Sequence, residues 1–334
     1  MNAIKDALVA CVPNFSEGRD QRVVESIVSA MHVPGVHLLD LTMDAGINRS
    51  VVTVAGAPDA VLEAAVRGAG KAAELIDLTR QEGEHPRIGA ADVIPFVPVR
   101  GIRLEQCVLL ARQAGQEIWQ RLGIPVYFYE AAAARPDRVN LDNVRHGQFE
   151  GLRELVRKES ARRPDLGGPG LHPTAGACAV GARKYLVSYL LFFDSVEVSI
   201  VRAIARELHG SSSGFKGLRA MGSLVEGRAQ LSLNIADFES TPISKVFSAV
   251  SRLALRHRVA MVEGRILGLL PEAAYERESE WMRHLTGFDP ETKILERRLE
   301  HPLPWPGEAA VRGQKGTAVS TAVLDEQSGL TVRE

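Results

Sequence analysis

The chain has 334 residues, of which 45% are hydrophobic and 24% charged, the balance of a globular protein with ample core and length for about two domains. A formal net charge of −1 supplies no general attraction to nucleic acid or to an anionic membrane, so neither is an expected partner. Cys11, Cys107 and Cys178 lie far apart without a CxxC pair, which argues against a disulfide framework and a structural zinc site.

The amino terminus carries Lys5 and Asp6 ahead of a short apolar run that stops at Pro13 and Asn14, and it does not read as a signal peptide. The longest apolar stretch, YLVSYLLFF from position 185, is far shorter than the roughly 20 residues of a membrane span. The expected compartment is the cytoplasm.

In chain order, ALVACVP reads as a strand. A helix follows Asp20, its N-cap, with Val23, Val24, Ile27, Val28 and Met31 on one face. GVHLLDL and SVVTVAG are the next two strands, joined by a polar turn containing Gly46 and Asn48. APDAVLEAAVRGAGKAAELID is helical, with Pro58 in its first turn and alanines suited to close packing. ADVIPFVPV returns as a strand, for which Pro95 and Pro98 predict an edge position or an interrupted ladder. This is βαββαβ, extended by a helix over 104–122 and a strand over 125–130.

The second half repeats the order. KYLVSYLLFF is a strand, and the helix after it has Val196, Ile200, Val201, Ile204 and Leu208 on one face and Gly210 beyond its end. GLRAMGSLVE and RAQLSLNIADF form a hairpin turning at Glu226-Gly227. Thr241 and Pro242 are the N-cap and first residue of a helix through Arg256, and VAMVEGRIL closes the unit. The fold class is α/β (α+β), as two ferredoxin-like βαββαβ subdomains. ARRPDLGGPGLHPTAGACAVGARK, rich in Gly, Pro and Ala, marks the division. The expected domains are 1–178 and 179–304, with a tail over 305–334 that belongs to neither core.

HExxH, GxSxG and GxxxxGKS/T motifs are absent. RGAGKAA, from Arg67, has a phosphate-loop look but falls inside a helix pattern. GGPG, from Gly167, follows no strand and is not a dinucleotide fingerprint. Two stretches carry chemistry. GEHPRIGAADVIPFVPV places His85 in the loop before a strand, between Glu84 and Arg87. An imidazole there can move protons near neutrality, or the segment is an ordinary polar turn. In DAGINRSVVTV, Asn48 and Arg49 stand at the mouth of a hairpin. Either Arg49 holds a carboxylate by its paired N–H groups, or the turn is Asx-type with a solvated arginine.

Taken in order, CVPNFSEGRD, NRSVVTVAG, GEHPRIGAADVIPFVPVRG, PVYFYE, GARKYLVSYLLFF, AQLSLNIADF and ILGLLPEAA resemble the formiminotransferase domain of the glutamate formimidoyltransferases. The likeness runs from about Cys11 to about Leu299. It implies two ferredoxin-like subdomains with a cleft between them, a homodimer, and tetrahydrofolate bound in the groove as co-substrate, with no metal. The family's catalytic histidine falls on His85. Its folate-contacting stretch falls on Gly167, Gly168, Pro169, Gly170, Leu171, His172, Pro173, Thr174, Ala175 and Gly176. The implied reaction moves a formimidoyl group between N5 of tetrahydrofolate and the amino group of glutamate, with Arg49 and Arg87 as candidates for holding carboxylates. The chain departs from the family pattern at Gln81, where a second histidine is common, and at Ala175, where an aromatic is common. It departs again at Glu263-Gly264-Arg265, which replace Gly, Ser and an acidic or amide residue. These differences keep formyl transfer, 5-formyltetrahydrofolate processing and folate binding without catalysis as alternatives.

Overall fold

The structure is a computed structural model that describes residues 7–83, 85–209, 214–225, 227–282 and 285–307. Glu84, Gly210, Glu226 and the tail beyond residue 307 lie outside the described residues.

The first half runs β1 (Leu8–Cys11), β2 (Asn14–Phe15), α1 (Gln21–Ala30), β3 (Val36–Asp44), β4 (Arg49–Gly56), α2 (Pro58–Leu75), β5 (Ala91–Arg100), α3 (Leu104–Leu122) and β6 (Val126–Glu130). Then come α4 (Leu141–Arg145), α5 (Gln148–Lys158) and β7 (Cys178–Ala182). The second half runs β8 (Val187–Phe193), α6 (Val198–His209), β9 (Leu218–Val225), β10 (Arg228–Ile235), α7 (Ile243–Arg256) and β11 (Met261–Leu267). Three helices follow: α8 (Glu272–Met282), α9 (Pro290–Lys293) and α10 (Leu295–Glu300).

Both βαββαβ successions are present, each on its own sheet. In the first, β1 and β2 share one position between β4 and β5, β3 lies outside β4, and all these pairs are antiparallel. The second sheet is ordered β11-β8-β10-β9, also antiparallel. Each half therefore has the spatial order fourth, first, third, second, counted along its own chain. Local signals account for the helix starts. Asp20 caps α1 by accepting from the amides of Arg22 and Val23, and Pro58 opens α2. RGAGKAA lies within α2, as its pattern indicates.

One local expectation narrows and three change. Of the two readings of Pro95 and Pro98, β5 takes the interrupted ladder and not the edge: it pairs with β1 and β2 on one side and with β7 on the other. Pro95 is tolerated because its carbonyl accepts from Val12 at 3.2 Å. N–H and C=O of one strand residue point the same way, so the missing donor faces the break between β1 and β2. The small-residue run expected as connecting segment contains β7, parallel to both β5 and β6 and buried at all five positions. A short, fully buried strand has no alternation to betray it. Val196 precedes α6 and is 69% exposed, because the Ser195 hydroxyl accepts from Glu197 N at 3.1 Å and delays the helix. At α7 the cap is Pro242 and not Thr241, whose hydroxyl donates instead to the Lys216 carbonyl at 2.7 Å.

Helices α1, α2 and α3 cover one face of the first sheet, with Val24, Ile27, Val66, Ala69, Ala111 and Ile118 packed on Val52, Val54, Ile94 and Phe96. On the opposite face, α4 and α5 contribute Val144, Leu152 and Val156 beside Val93, Tyr127 and Tyr129. Farther along that face, Leu269 and Leu295 from the segment after β11 pack on Ala10, Leu39, Ala55 and Val97. In the second half, Val187, Tyr189, Leu191 and Phe193 alternate inward beneath α6 and α7. The cysteines are free and buried, and burial pushes the Cys107 thiol up to about 12. No helix among the described residues is long and apolar enough to cross a membrane.

Candidate active site

Three loops meet at the start of β4. Asn48, in the β3–β4 turn, has φ 53°, a conformation asparagine tolerates better than most residues. Its side-chain oxygen accepts from Gly18 N at 2.9 Å, and its amide nitrogen donates to the Glu82 carbonyl at 2.7 Å. The Gln81 side chain completes the junction by donating to the Asn48 carbonyl at 3.3 Å. One buried asparagine thus ties the hairpin to the loop that carries His85.

Arg49 is only 5% exposed. Alternation along β4 puts it on the face opposite α1–α3, as it does Ala55. Nη1 pairs with Asp92 Oδ2 at 2.9 Å and Nε donates to Asn14 Oδ1 at 3.1 Å. The solvated-arginine reading of this turn is therefore overturned: a buried guanidinium requires a carboxylate partner, and Asp92 is it. Asp92 is fully buried, accepts from Ile88 N at 2.8 Å and takes a second guanidinium through Arg145 Nη2 at 2.5 Å. Burial alone would raise its carboxyl, but Arg145, Arg49 and the Ile88 amide outweigh it and hold the pKa at about 2.

His85 lies in the loop before β5, where Nδ1 is 2.8 Å from the Pro86 carbonyl. A carbonyl only accepts, so this contact places the proton on Nδ1 and leaves the Nε2 lone pair available. Burial lowers the imidazole pKa to about 4, with repulsion from Arg49 and Arg145 adding to the shift. The Pro86 contact and Asp92 oppose it. At neutral pH His85 is an uncharged base.

Arg87, the other carboxylate candidate, faces the protein. Nε donates to Gln81 Oε1 at 2.7 Å, Nη1 and Nη2 grip Glu150 at 2.8 and 2.7 Å, and Nη2 also donates to the Gln81 carbonyl at 3.0 Å. All three nitrogens are occupied in tying the His85 loop to α5. Gln81 is part of that tie, so its amide accepts from Arg87 and donates to Asn48 where the family often has an imidazole.

The folate-matched stretch divides in two. Gly167 has φ +82°, and a Cβ there would come within 2.9 Å of the Trp119 ring, so the Gly167–Gly170 part begins against the end of α3. No described contact joins that part to His85. The remainder closes on itself, with His172 N donating to Gly176 O at 2.8 Å and Gly176 N to His172 O at 3.1 Å. It then docks beside the His85 loop through Leu78 N to Thr174 O, Ala90 N to Ala175 O and Ala177 N to Ile88 O, each at 2.9 Å. His172 Nδ1 accepts from Ala175 N at 3.0 Å, which leaves the hydrogen on Nε2. Ala175 itself is buried in the first core.

Gly176 supports a direct prediction. Its φ is +72°, and an added Cβ would lie 2.1 Å from the Ile88 carbonyl oxygen. Gly176→Ala is expected to cost about 2 kcal/mol or more, read as a lower midpoint in chemical denaturation. An unchanged midpoint would show that the loop is not held in this conformation.

At the third departure, Glu263 on β11 accepts from Arg228 at 3.0 Å and from Arg265. Both guanidiniums lie over the Phe192 ring, at 4.7 and 5.1 Å. The added charges pair mainly with one another on the sheet face opposite α6 and α7. No described contact links them to His85. The two halves do meet across α4: Arg219 on β9 donates to Asn140 Oδ1, at the N-cap, at 3.0 Å. Arg145 is the last residue of the same helix.

Sequence reasoning missed Asp92, Arg145 and Glu150. Asp92 left a signal, as the lone charge within AADVIPFVPV, since a carboxylate in a buried strand must be paired. Arg145 and Glu150 left none, because their partners are 53 and 63 residues away in sequence.

Comparison with known proteins follows the same two halves. The family model for the N-terminal subdomain of the formiminotransferase domain matches residues 8–183, and the model for the formiminotransferase domain matches residues 198–284. The chain is 41% identical to a glutamate formimidoyltransferase of Streptococcus pyogenes serotype M1, over 87% of this chain and 98% of that protein. It is 40% identical to the glutamate formimidoyltransferase of Thermoplasma acidophilum, over 88% and 98%. Against the mouse formimidoyltransferase-cyclodeaminase the identity is 39%, over 79% of this chain and 50% of that protein. With matches of this extent collinear with both sheets, the chain belongs to the glutamate formimidoyltransferase family.

Proposed function

We propose that this protein transfers a formimidoyl group between N5 of tetrahydrofolate and the amino group of L-glutamate, with His85 as general base and then general acid. The observation that carries the reading is the state of His85. Nδ1 is engaged by the Pro86 carbonyl and Nε2 is left unprotonated, beside two arginines that favour an anionic substrate. Kinship with the glutamate formimidoyltransferases supports the substrates.

In the proposed reaction the uncharged amine attacks the formimidoyl carbon while His85 Nε2 removes one amine proton. The tetrahedral centre then collapses, the bond from carbon to N5 breaks, and the imidazolium returns that proton to N5. One N–H is lost by glutamate and one is gained by the folate, so no other reactant is needed. Binding of tetrahydrofolate against the 172–176 turn is supported by the docking of that turn on the His85 loop. A fixed Nε2–H on His172 suits an acceptor of the folate. Arg49 retains the carboxylate role, whereas Arg87 becomes a positioning residue that fixes the loop.

The test is an assay of purified protein with N-formimidoyl-L-glutamate and tetrahydrofolate, run beside the N-formyl analogue. Formimidoyl transfer well above formyl transfer is expected. Preference for the formyl substrate, or folate binding with neither group moved, would overturn the reading.

A further inference from the structure

We propose that Arg49 and Arg145, both anchored on the buried carboxylate of Asp92, form a two-guanidinium clamp for the α-carboxylate of the amino-acid substrate. The proposal rests on the amino-acid reading above and adds to Arg49 a second arginine, Arg145, that the sequence motifs do not contain. Its first support is how the three charges are joined. A single carboxylate oxygen, Asp92 Oδ2, takes Arg49 Nη1 at 2.9 Å and Arg145 Nη2 at 2.5 Å. The arginines are 5% and 11% exposed and the aspartate 0%. Two cations share one anion, so the cluster holds an excess positive charge in a largely desolvated setting, where it favours an added anion.

The second support is the set of donors left over. Arg49 uses Nε on Asn14 and Nη1 on Asp92. Arg145 uses Nη2 on Asp92, and its Nε is buried without a hydrogen-bond partner among the described residues. Among the described residues, neither Arg49 Nη2 nor Arg145 Nη1 has a hydrogen-bond partner. Each arginine is thus fixed by one end and carries N–H donors at the other, the preorganisation a carboxylate site requires. Arg87 offers a contrast, since all of its nitrogens are occupied by Gln81 and Glu150.

Stereochemistry selects the carboxylate. The same three groups act on His85, and His85 must reach the substrate nitrogen. In an α-amino acid the α-carboxylate is attached to the carbon that bears this nitrogen, whereas the side-chain carboxylate is two carbons farther off. A clamp adjoining the imidazole therefore matches the α-carboxylate and delivers the amine to Nε2.

The test pairs a substrate change with an enzyme change. N-formimidoyl-L-glutamate is compared with N-formimidoyl-4-aminobutyrate, the same molecule without the α-carboxylate, on wild type, Arg145→Gln and Arg145→Lys. Loss of the carboxylate is expected to lower wild-type kcat/KM by about 10–100-fold, the worth of one or two charge-assisted hydrogen bonds. Arg145→Gln should lose a similar factor with the glutamate substrate, little more with the analogue, and at most a few-fold in KM for tetrahydrofolate. Arg145→Lys keeps a charge for Asp92 and removes the fork, so it should fold normally and give an intermediate loss. Equal losses on both substrates in both variants would make Arg145 purely structural and overturn the clamp. Thermal protection by L-glutamate, compared with 4-aminobutyrate, separates the clamp from the activity. Protection of wild type but not of Arg145→Gln supports the clamp even if no formimidoyl transfer occurs. Equal protection of both proteins sinks it.

Discussion

His85→Ala is expected to lower kcat by about 10²–10⁴-fold, the usual worth of a positioned acid–base group, with folate affinity changed by no more than a few-fold. The pH profile gives the sharper test. Burial, Arg49 and Arg145 together bring the imidazole to about 4, well below the ordinary value near 6.5. In the free enzyme the acid limb of kcat/KM should therefore fall near pH 4, with activity rising as pH rises through that value. A bound carboxylate offsets the two guanidiniums, so the limb in kcat should lie higher than the limb in kcat/KM. The same shift predicts a stability effect of definite sign. Between about pH 4 and 6.5 the unfolded chain holds a proton on this histidine and the native protein does not, so stability rises with pH across that window. His85→Gln should flatten the rise. A limb near 6.5 in wild type would show that the imidazole is solvated and unconstrained, and would remove the basis for its role.

The order of the two βαββαβ successions was legible because their helices and most of their strands carry their own signal, whereas α4, α5 and α8 to α10 were not anticipated. Asp20 and Pro58 start helices by chemistry that needs no tertiary contact, and the paired βαββαβ successions follow from period alone. What was not legible depends on neighbours distant in sequence. β7 consists of small residues that become a strand only between β5 and β6. Pro95 fits a central strand only because β1 breaks opposite it. The site divides along the same line. His85 and Arg49 stand in local motifs, whereas the meaning of Arg49 depends on Asp92, and that of Arg87 on Gln81 and Glu150. A motif identifies an arginine; only the fold decides whether its donors face a substrate or another part of the protein.

Asp92→Asn is expected to be the most damaging single substitution for the fold around this site, at about 3–5 kcal/mol, the range for removing one partner of a buried ion pair. Asparagine matches aspartate in size and can still accept from Ile88 N through its carbonyl oxygen, so packing and the loop contact are conserved and the charge is isolated. What remains is two buried guanidiniums facing each other without a counter-ion. The wild-type carboxyl, held at about 2 against its usual 3.8, contributes stability that is fully present above pH 3.8 and is lost as pH falls through 2. The variant should lack this acid transition. Its His85 should also be harder to protonate, because Asp92 is the charged group that favours the imidazolium. The acid limb of any residual activity would then shift below 4. Urea denaturation of wild type and variant at pH 7 measures the first effect. A difference under about 1 kcal/mol would mean that solvent already compensates the arginines, a result incompatible with a desolvated cluster and with a clamp built on it. If the stability falls as expected, Asp92 is the counter-ion that holds the two guanidiniums together, as a clamp built on it requires.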